Sequence, residues 1–190
     1  TGNYNVGVGR LALAANTTGT QNTSVGTNSL DGNTTGNYNT AVGSYALGDQ
    51  TTGSNNTAVG RQALKYNTTA SNNTAVGYNA LQVNTTGSSN TAIGPYTLDA
   101  NTTANNNVGV GAGVLTDNTT GASNTSIGDD SLANNTTAAN NTACGRSALF
   151  ANTTGTRNTA IGAYALDSNT TPDYNDAFGY AALSANTTGE

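Results

Sequence analysis

The sequence predicts an all-β fold, a parallel β-solenoid or β-roll built from eleven 17-residue coils. A unit reading N-T-A-V-G-x-x-A-L-x-x-N-T-T-G-x-x, complete at residues 73–89, recurs every 17 residues without insertion or deletion. Gly and Asn interrupt each unit too often for a helix. Only 34% of the residues are hydrophobic and 8% charged, so a strict period favours stacked repeats over one large core.

Each unit is numbered here from its first asparagine, so that Asn73 occupies position 1 and Ser89 position 17. The array forms a single domain, residues 1–190, because no part of the chain departs from the period. We expect this array to be a segment of a longer fibre. Coils spaced like strands in a sheet, about 4.8 Å apart, would make a rod roughly 50 Å long.

Within a coil, positions 2–4 (T-A-V) predict one short strand and positions 7–9 (x-A-L) a second. The glycine at position 5 permits the bend between them, and N-T-T-G at positions 12–15 predicts the next turn.

Stacking in register predicts two structural columns. Asparagines at position 1 are expected to pair their amides along the axis, and leucines at position 9 to form an apolar spine. The asparagines are Asn5, Asn22, Asn39, Asn56, Asn73, Asn90, Asn107, Asn124, Asn141, Asn158 and Asn175. The leucines are Leu13, Leu30, Leu47, Leu64, Leu81, Leu98, Leu115, Leu132, Leu149, Leu166 and Leu183. At position 12, Gln50 alone replaces Asn and is expected to be tolerated because it keeps the amide.

Position 4 is Val, Ile, Cys or Phe, and we expect it to complete the apolar spine inside the coil. Alternation along the strand then places position 3, which is only Ala, Ser or Gly, on the outside. An outer face restricted to small residues, with mostly small residues at position 8 beside it, favours close contact with another copy of the chain. The alternative is that a tight bend within one coil demands small residues.

Units such as Asn73–Gly77 and Asn158–Gly162, each followed by x-x-A-L, resemble the head repeats of trimeric autotransporter adhesins. They are still more similar to N-T-A-V-G-x-x-A-L-x-x-N-T-T-G arrays in phage tail fibres and bacterial surface fibre proteins. The resemblance covers the whole chain and implies a left-handed parallel β-roll, a homotrimer, and an adhesive or spacer role. Adhesin head repeats are shorter and lack the N-T-T-G arm.

Catalysis and metal binding are not predicted. The chain has no His, and Cys144 stands in the position 4 column, where we expect a small buried side chain. Asp31, Asp99 and Asp167 share position 10, but members of this set are four coils apart, too far for a pair of catalytic carboxyls. The unit does not match the calcium-binding nonapeptide, so no metal or cofactor is expected.

Ten asparagines begin N-T-T at position 12, the acceptor pattern for N-linked glycans in a secreted chain. They are Asn16, Asn33, Asn67, Asn84, Asn101, Asn118, Asn135, Asn152, Asn169 and Asn186. The alternative, which we favour, is that N-T-T supplies turn and ladder chemistry and that the asparagine is buried. An ice-binding face is disfavoured, because consecutive threonines such as Thr85 and Thr86 should diverge.

Tyrosines occur only at variable positions. Tyr45, Tyr96 and Tyr164 share position 7 and are candidates for stacking on the sugars of a neighbouring or host surface. The alternative is that they cover the flank of the apolar spine.

These observations predict a structural or adhesive shaft segment of an extracellular fibre, on a cell surface or a virion, assembled as a homotrimer and without enzymatic activity. A glycan-binding module on the flank and a heavily glycosylated extracellular filament are the alternatives. Five basic residues against ten acidic ones disfavour nucleic acid as a partner, and no apolar run predicts membrane insertion of this segment.

Overall fold

A computed structural model describes residues 2–189 and has one eleven-stranded parallel sheet with its strands in sequential order. The strands are β1 Val6–Val8, β2 Thr23–Val25, β3 Thr40–Val42, β4 Thr57–Val59, β5 Thr74–Val76, β6 Thr91–Ile93, β7 Val108–Val110, β8 Thr125–Ile127, β9 Thr142–Cys144, β10 Thr159–Ile161 and β11 Asp176–Phe178. Each coil is named after its strand. The all-β solenoid with 17-residue coils is confirmed, since Thr57 pairs with Thr74 and Val59 with Val76. The left-handed sense of the coil stays a prediction.

Backbone hydrogen bonds tie each coil to both of its neighbours. The N–H of Thr57 donates to the carbonyl of Asn73 in the following coil at 2.8 Å. The N–H of Gly60 donates to the carbonyl of Val42 in the preceding coil, also at 2.8 Å. Because the donors alternate in direction, every inner coil is held from both sides, which is how short three-residue strands form a continuous sheet.

The second strand predicted at positions 7–9 is absent from the described coils, and successive tight turns take its place. In coil 3, the N–H of Ala46 donates to the carbonyl of Gly43, and the N–H of Gly48 to that of Tyr45, both at 3.3 Å. Tyr45 and Leu47 have left-handed backbone conformations, with φ of 58° and 50°. The prediction was wrong because positive φ at alternate residues turns the chain back on itself instead of extending it.

The leucines at position 9 form the core although their backbone is in the left-handed conformation. Leu81 has φ of 52°, a conformation that costs an L-residue about 1–2 kcal/mol. Burying a leucine fully returns about 1.5–3 kcal/mol, so burial outweighs the strain. The nine leucines from Leu30 to Leu166 at position 9 are completely buried, while Leu13 and Leu183 in the end coils are partly exposed. The position 9 leucines thus fill the interior from coil to coil.

Position 5 requires glycine. Gly77 has φ of 140°, and a Cβ built there would lie 2.5 Å from the carbonyl oxygen of Gly94 in the next coil. Any other residue would therefore push two coils apart while also adopting a strained backbone.

The prediction that position 4 points into the coil and position 3 out of it is wrong. Ala75 at position 3 is completely buried, whereas Ile93 at position 4 is 41% exposed. The cause is the narrowness of the coil. The central residue of each three-residue strand faces inward against positions 8 and 9, and only a small side chain fits there opposite leucine. The small residues are thus explained by the tight coil, and Cys144 is exposed rather than buried.

Positions 3 and 8 face each other across the interior. Where position 3 is Ser, position 8 is Ser, and the hydroxyls of Ser24 and Ser29 lie 2.5 Å apart. Where position 8 is the larger Val114, position 3 is Gly109, whose added Cβ would lie 3.4 Å from the Val114 Cγ1 atom. In these coils the two residues are matched in size or polarity.

Candidate functional surfaces

The solenoid has no concave site within residues 2–189: no cavity is found, and no group of three or more His, Cys, Asp or Glu side chains is placed to hold a metal ion. The surfaces described below are on the outside of the coils. Three of them follow from the repeat: the asparagine–threonine corner at positions 12–15, the outer face of the sheet at positions 2 and 4, and a flank at positions 6, 7, 10 and 11 that has most of the tyrosines.

The position 1 asparagines form a buried column, but it bonds mainly to backbone. The Nδ2 of Asn73 donates to the carbonyl of Gly87 at 2.9 Å, and its Oδ1 accepts from the N–H of Asn90 at 2.9 Å. Direct amide pairs occur at a few rungs, such as Asn39 Nδ2 to Asn22 Oδ1 at 3.1 Å. The usual partners of this column are the corner of its own coil and the backbone of the next coil.

The amide ladder expected at position 1 lies instead at position 12. The Nδ2 of Asn84 donates to Asn67 Oδ1 at 3.0 Å and to the carbonyl of Gly87 at 2.8 Å. These two bonds use both hydrogens of the nitrogen that would carry an N-linked sugar. Eight of the ten N-T-T asparagines are completely buried, and Asn16 and Asn186 in the end coils are partly buried. The geometry favours the ladder interpretation of N-T-T over glycosylation.

Gln50 keeps its amide but breaks one rung of this ladder. Its Nε2 donates to Gly53 O at 3.0 Å, and its Oε1 accepts from Asn56 and Asn67 at 2.9 and 3.0 Å. The longer side chain therefore directs no N–H toward Asn33, whose buried Oδ1 has no hydrogen-bond partner. A buried oxygen without a hydrogen bond lowers the stability of the folded state.

The two threonines of the corner diverge. At position 13, the Oγ1 of Thr85 donates to the carbonyl of Thr102 in the next coil at 3.1 Å, which adds a side-chain rung to the stack. At position 14, Thr86 is exposed. The corner therefore presents a single outward column of hydroxyls.

The outer sheet face consists of positions 2 and 4 of all eleven strands. Position 2 contributes Val6, Thr23, Thr40, Thr57, Thr74, Thr91, Val108, Thr125, Thr142, Thr159 and Asp176. Position 4 contributes Val8, Val25, Val42, Val59, Val76, Ile93, Val110, Ile127, Cys144, Ile161 and Phe178. Every position 4 side chain is exposed or half-buried, and Asp176 is the only charge on the face. The result is an unbroken apolar stripe along the rod.

Tyr45, Tyr96 and Tyr164 do not meet one another, because they are three and four coils apart. Each instead belongs to a local group. Lys65 Nζ lies 5.5 Å from the ring centroid of Tyr45, and Tyr96 packs edge-on against Tyr78 with centroids 5.2 Å apart. The Arg146 guanidinium lies 5.6 Å from the Tyr164 ring.

Sequence reasoning missed the basic partners in these groups. Arg61 Nη1 donates to the Tyr78 hydroxyl at 3.2 Å, and Lys65 Nζ to the Tyr66 hydroxyl at 2.9 Å. The signal was available in part: Arg61 and Tyr78 are 17 residues apart, which in a register-stacked coil makes them neighbours.

One pair of acidic residues, Asp99 and Asp117, comes from two different positions of the repeat, 10 and 11. Burial, with a smaller contribution from the charge of Asp117 in the next coil, raises the pKa of Asp99 from 3.8 to about 6. A carboxyl oxygen of Asp99 and one of Asp167 are buried without a hydrogen-bond partner. Comparing acids only within a column overlooked the Asp99–Asp117 pair.

A comparison with known proteins found no matching family model, and no curated protein or solved structure showed significant similarity to the chain. The resemblance to fibre and adhesin repeats therefore remains a prediction from the residues. Within residues 2–189 no helix is long and apolar enough to cross a membrane.

Proposed function

We propose that this chain is a structural and adhesive shaft segment of an extracellular fibre, on a cell surface or a virion, and that it has no catalytic activity. Eleven coils in unbroken register support a stiff spacer, because each coil is bonded to the next along the strand, the corner and both asparagine columns. A rod of this kind has reach without needing a binding pocket.

The observation that carries the proposal is the outer sheet face. Free solvent exposure would allow Lys, Glu or Gln at position 4, yet all eleven residues there are Val, Ile, Cys or Phe. An exposed apolar surface of this length is typical of an interaction site. We propose that copies of the chain pack through this face, along the whole length of the rod, and that it replaces the small-residue face first expected to do so.

The size of the face limits the area that assembly can bury, and the trimer is proposed from the resemblance of the repeats to trimeric fibre repeats. Eleven strands about 4.8 Å apart and a face about 10 Å wide give roughly 500 Å² per subunit, near the lower limit for a stable pair. A homotrimer closes three such faces around one axis, so each subunit is covered by two neighbours.

Sedimentation of the purified chain tests this proposal. The wild type is expected to sediment as a trimer. Val76→Asp with Ile93→Asp places two carboxylates in the outer sheet face and should give monomers that keep the β-type circular dichroism spectrum. Thr86→Asp, in the exposed threonine column away from the face, is the matched control and should remain trimeric. A monomeric wild type, or a trimer unaffected by the two aspartates, would overturn the proposed assembly.

A further inference from the structure

One stretch of the flank gathers aromatic and basic side chains from four consecutive coils. We call it the aromatic–cationic patch; it consists of Tyr45, Arg61, Lys65, Tyr66, Tyr78 and Tyr96. These residues occupy positions 6, 7, 10 and 11, so the patch lies on a different part of the coil from the outer sheet face. Two of the five basic residues of the chain are in it.

The tyrosines hold the two basic groups in place without neutralising them. Lys65 Nζ lies 4.4 Å from the Tyr66 ring centroid and 5.5 Å from that of Tyr45. The Arg61 guanidinium lies 5.5 Å from the Tyr78 ring centroid. Ring faces and hydroxyls have no net charge, so both cations keep their full charge at the surface while losing some of their freedom to move. Two cations held against rings in this way are suited to an anionic ligand, although one acidic residue, Asp49, lies in the adjacent coil with its N–H bonded to the Lys65 carbonyl.

The shape of the patch favours a polymer over a small molecule. No cavity is found within residues 2–189, so the ligand must lie on a surface. From Tyr45 to Tyr96 the patch crosses three coil steps, about 14 Å, which exceeds one sugar ring. Exposed tyrosines present ring faces and edges to the apolar faces of sugars, and their hydroxyls offer hydrogen bonds.

We propose that the aromatic–cationic patch binds an acidic polysaccharide, with Arg61 and Lys65 pairing carboxylates and Tyr45 and Tyr96 contacting sugar rings. A single-stranded nucleic acid would use similar groups, but it requires a longer basic track than the two cations of this patch. The proposal gives the adhesive part of the proposed function a ligand class, and it does not depend on how many subunits assemble.

Binding of polygalacturonate, measured by titration calorimetry at low salt, tests the patch. The patch variant is Tyr45→Asn, Arg61→Ser, Lys65→Gln and Tyr96→Asn; each new residue already occurs at the same position of another coil, so folding should be preserved. We expect wild-type binding to weaken at least tenfold in this variant and to weaken with added salt.

The matched control is Arg157→Asn with Tyr174→Asn. This isolated pair has the same chemistry, a guanidinium 5.3 Å from a ring centroid and bonded to its hydroxyl at 2.8 Å, but at position 17. It should bind polygalacturonate like the wild type. Equal loss in the control, equal binding of uncharged dextran, tighter binding of single-stranded DNA, or no binding by the wild type would each overturn the proposal. Sedimentation of the same samples reports on the shaft assembly separately.

Discussion

The two sides of a single strand follow opposite rules. In β5, the inward Ala75 is completely buried, and its position accepts only Ala, Ser or Gly in all eleven coils. The outward Val76 is in a column that accepts Val, Ile, Cys and Phe. The larger, more apolar side chains are thus on the outside. In a coil this narrow, the size of a side chain depends on the space available to it and does not indicate whether it faces the core. The apolar outer column indicates a second surface that another molecule covers.

The interior should be far more sensitive than the outer column to loss of volume. Leu81→Ala removes a buried side chain and leaves a cavity, and we expect it to lower the free energy of unfolding by about 2–5 kcal/mol. Val59→Ala in the outer column should cost less than about 1 kcal/mol per chain when assembly is absent. The comparison is made by denaturant unfolding of Leu81→Ala and Val59→Ala, each introduced into the dissociated Val76→Asp, Ile93→Asp variant. Equal losses at the two sites would contradict the assignment of inside and outside.

The interior should also resist added volume. A Cβ at Gly109 would lie 2.7 Å from the Cγ2 of Thr97 in the preceding coil, so Gly109→Ala is expected to cost about 1–3 kcal/mol. Thr97→Ala removes that methyl group and should restore much of the loss in the double variant. A double-mutant cycle by denaturant unfolding measures this coupling. Additive effects would mean that the two coils do not share this space.

The broken rung at Gln50 offers a stabilising change inside the same core. Gln50→Asn should return the side chain to ladder length and give Asn33 Oδ1 a donor, which we expect to raise the free energy of unfolding by about 1 kcal/mol. Gln82→Asn is the control, since its half-buried side chain has no part in the ladder and its backbone is not left-handed. A destabilised Gln50→Asn protein would show that the bonds Gln50 makes to Asn56 and Asn67 outweigh the repaired rung.

Between interior and surface, Asp99 links stability to pH. Its pKa is about 6 in the folded chain against 3.8 unperturbed, so the folded state holds the proton more tightly. Its contribution is fully present below pH 3.8 and is lost as the pH rises through about 6. Because Asp99 is half-exposed, solvent screening reduces the effect to about 1 kcal/mol. Asp99→Asn should therefore be more stable than wild type at pH 7 and equal to it at pH 3. The same gain at both pH values would exclude titration of Asp99 as the cause.

Much of the fold could be predicted from the sequence, because an exact period with Leu and Gly at constant places leaves few alternatives to stacking. The assignment of positions 3 and 4 failed because strand alternation permits two orientations. The larger, apolar side chain at position 4 was assumed to face the interior. A useful signal was the pairing of positions 3 and 8: Ser24 with Ser29, and Gly109 with Val114. The missed turns also had a signal, since Asn28 and Asn79 at position 7 suit a left-handed backbone.

The surfaces were harder to predict. Tyr45 and Tyr96 were identified, but their partners Lys65 and Tyr78 occupy other positions of neighbouring coils. Contacts of this kind depend on the directions in which the turns point the side chains at positions 6 to 11. Aligning the repeats by position does not give these directions.

The most direct test of inside, outside and assembly uses the native Cys144 in the outer sheet face. We predict that a thiol reagent modifies it slowly in the assembled wild type and rapidly in the folded, dissociated Val76→Asp, Ile93→Asp variant. A cysteine moved one residue inward, in Ala143→Cys with Cys144→Val, should react slowly in both backgrounds. Slow reaction of Cys144 in the dissociated protein, together with fast reaction at residue 143, would contradict the account.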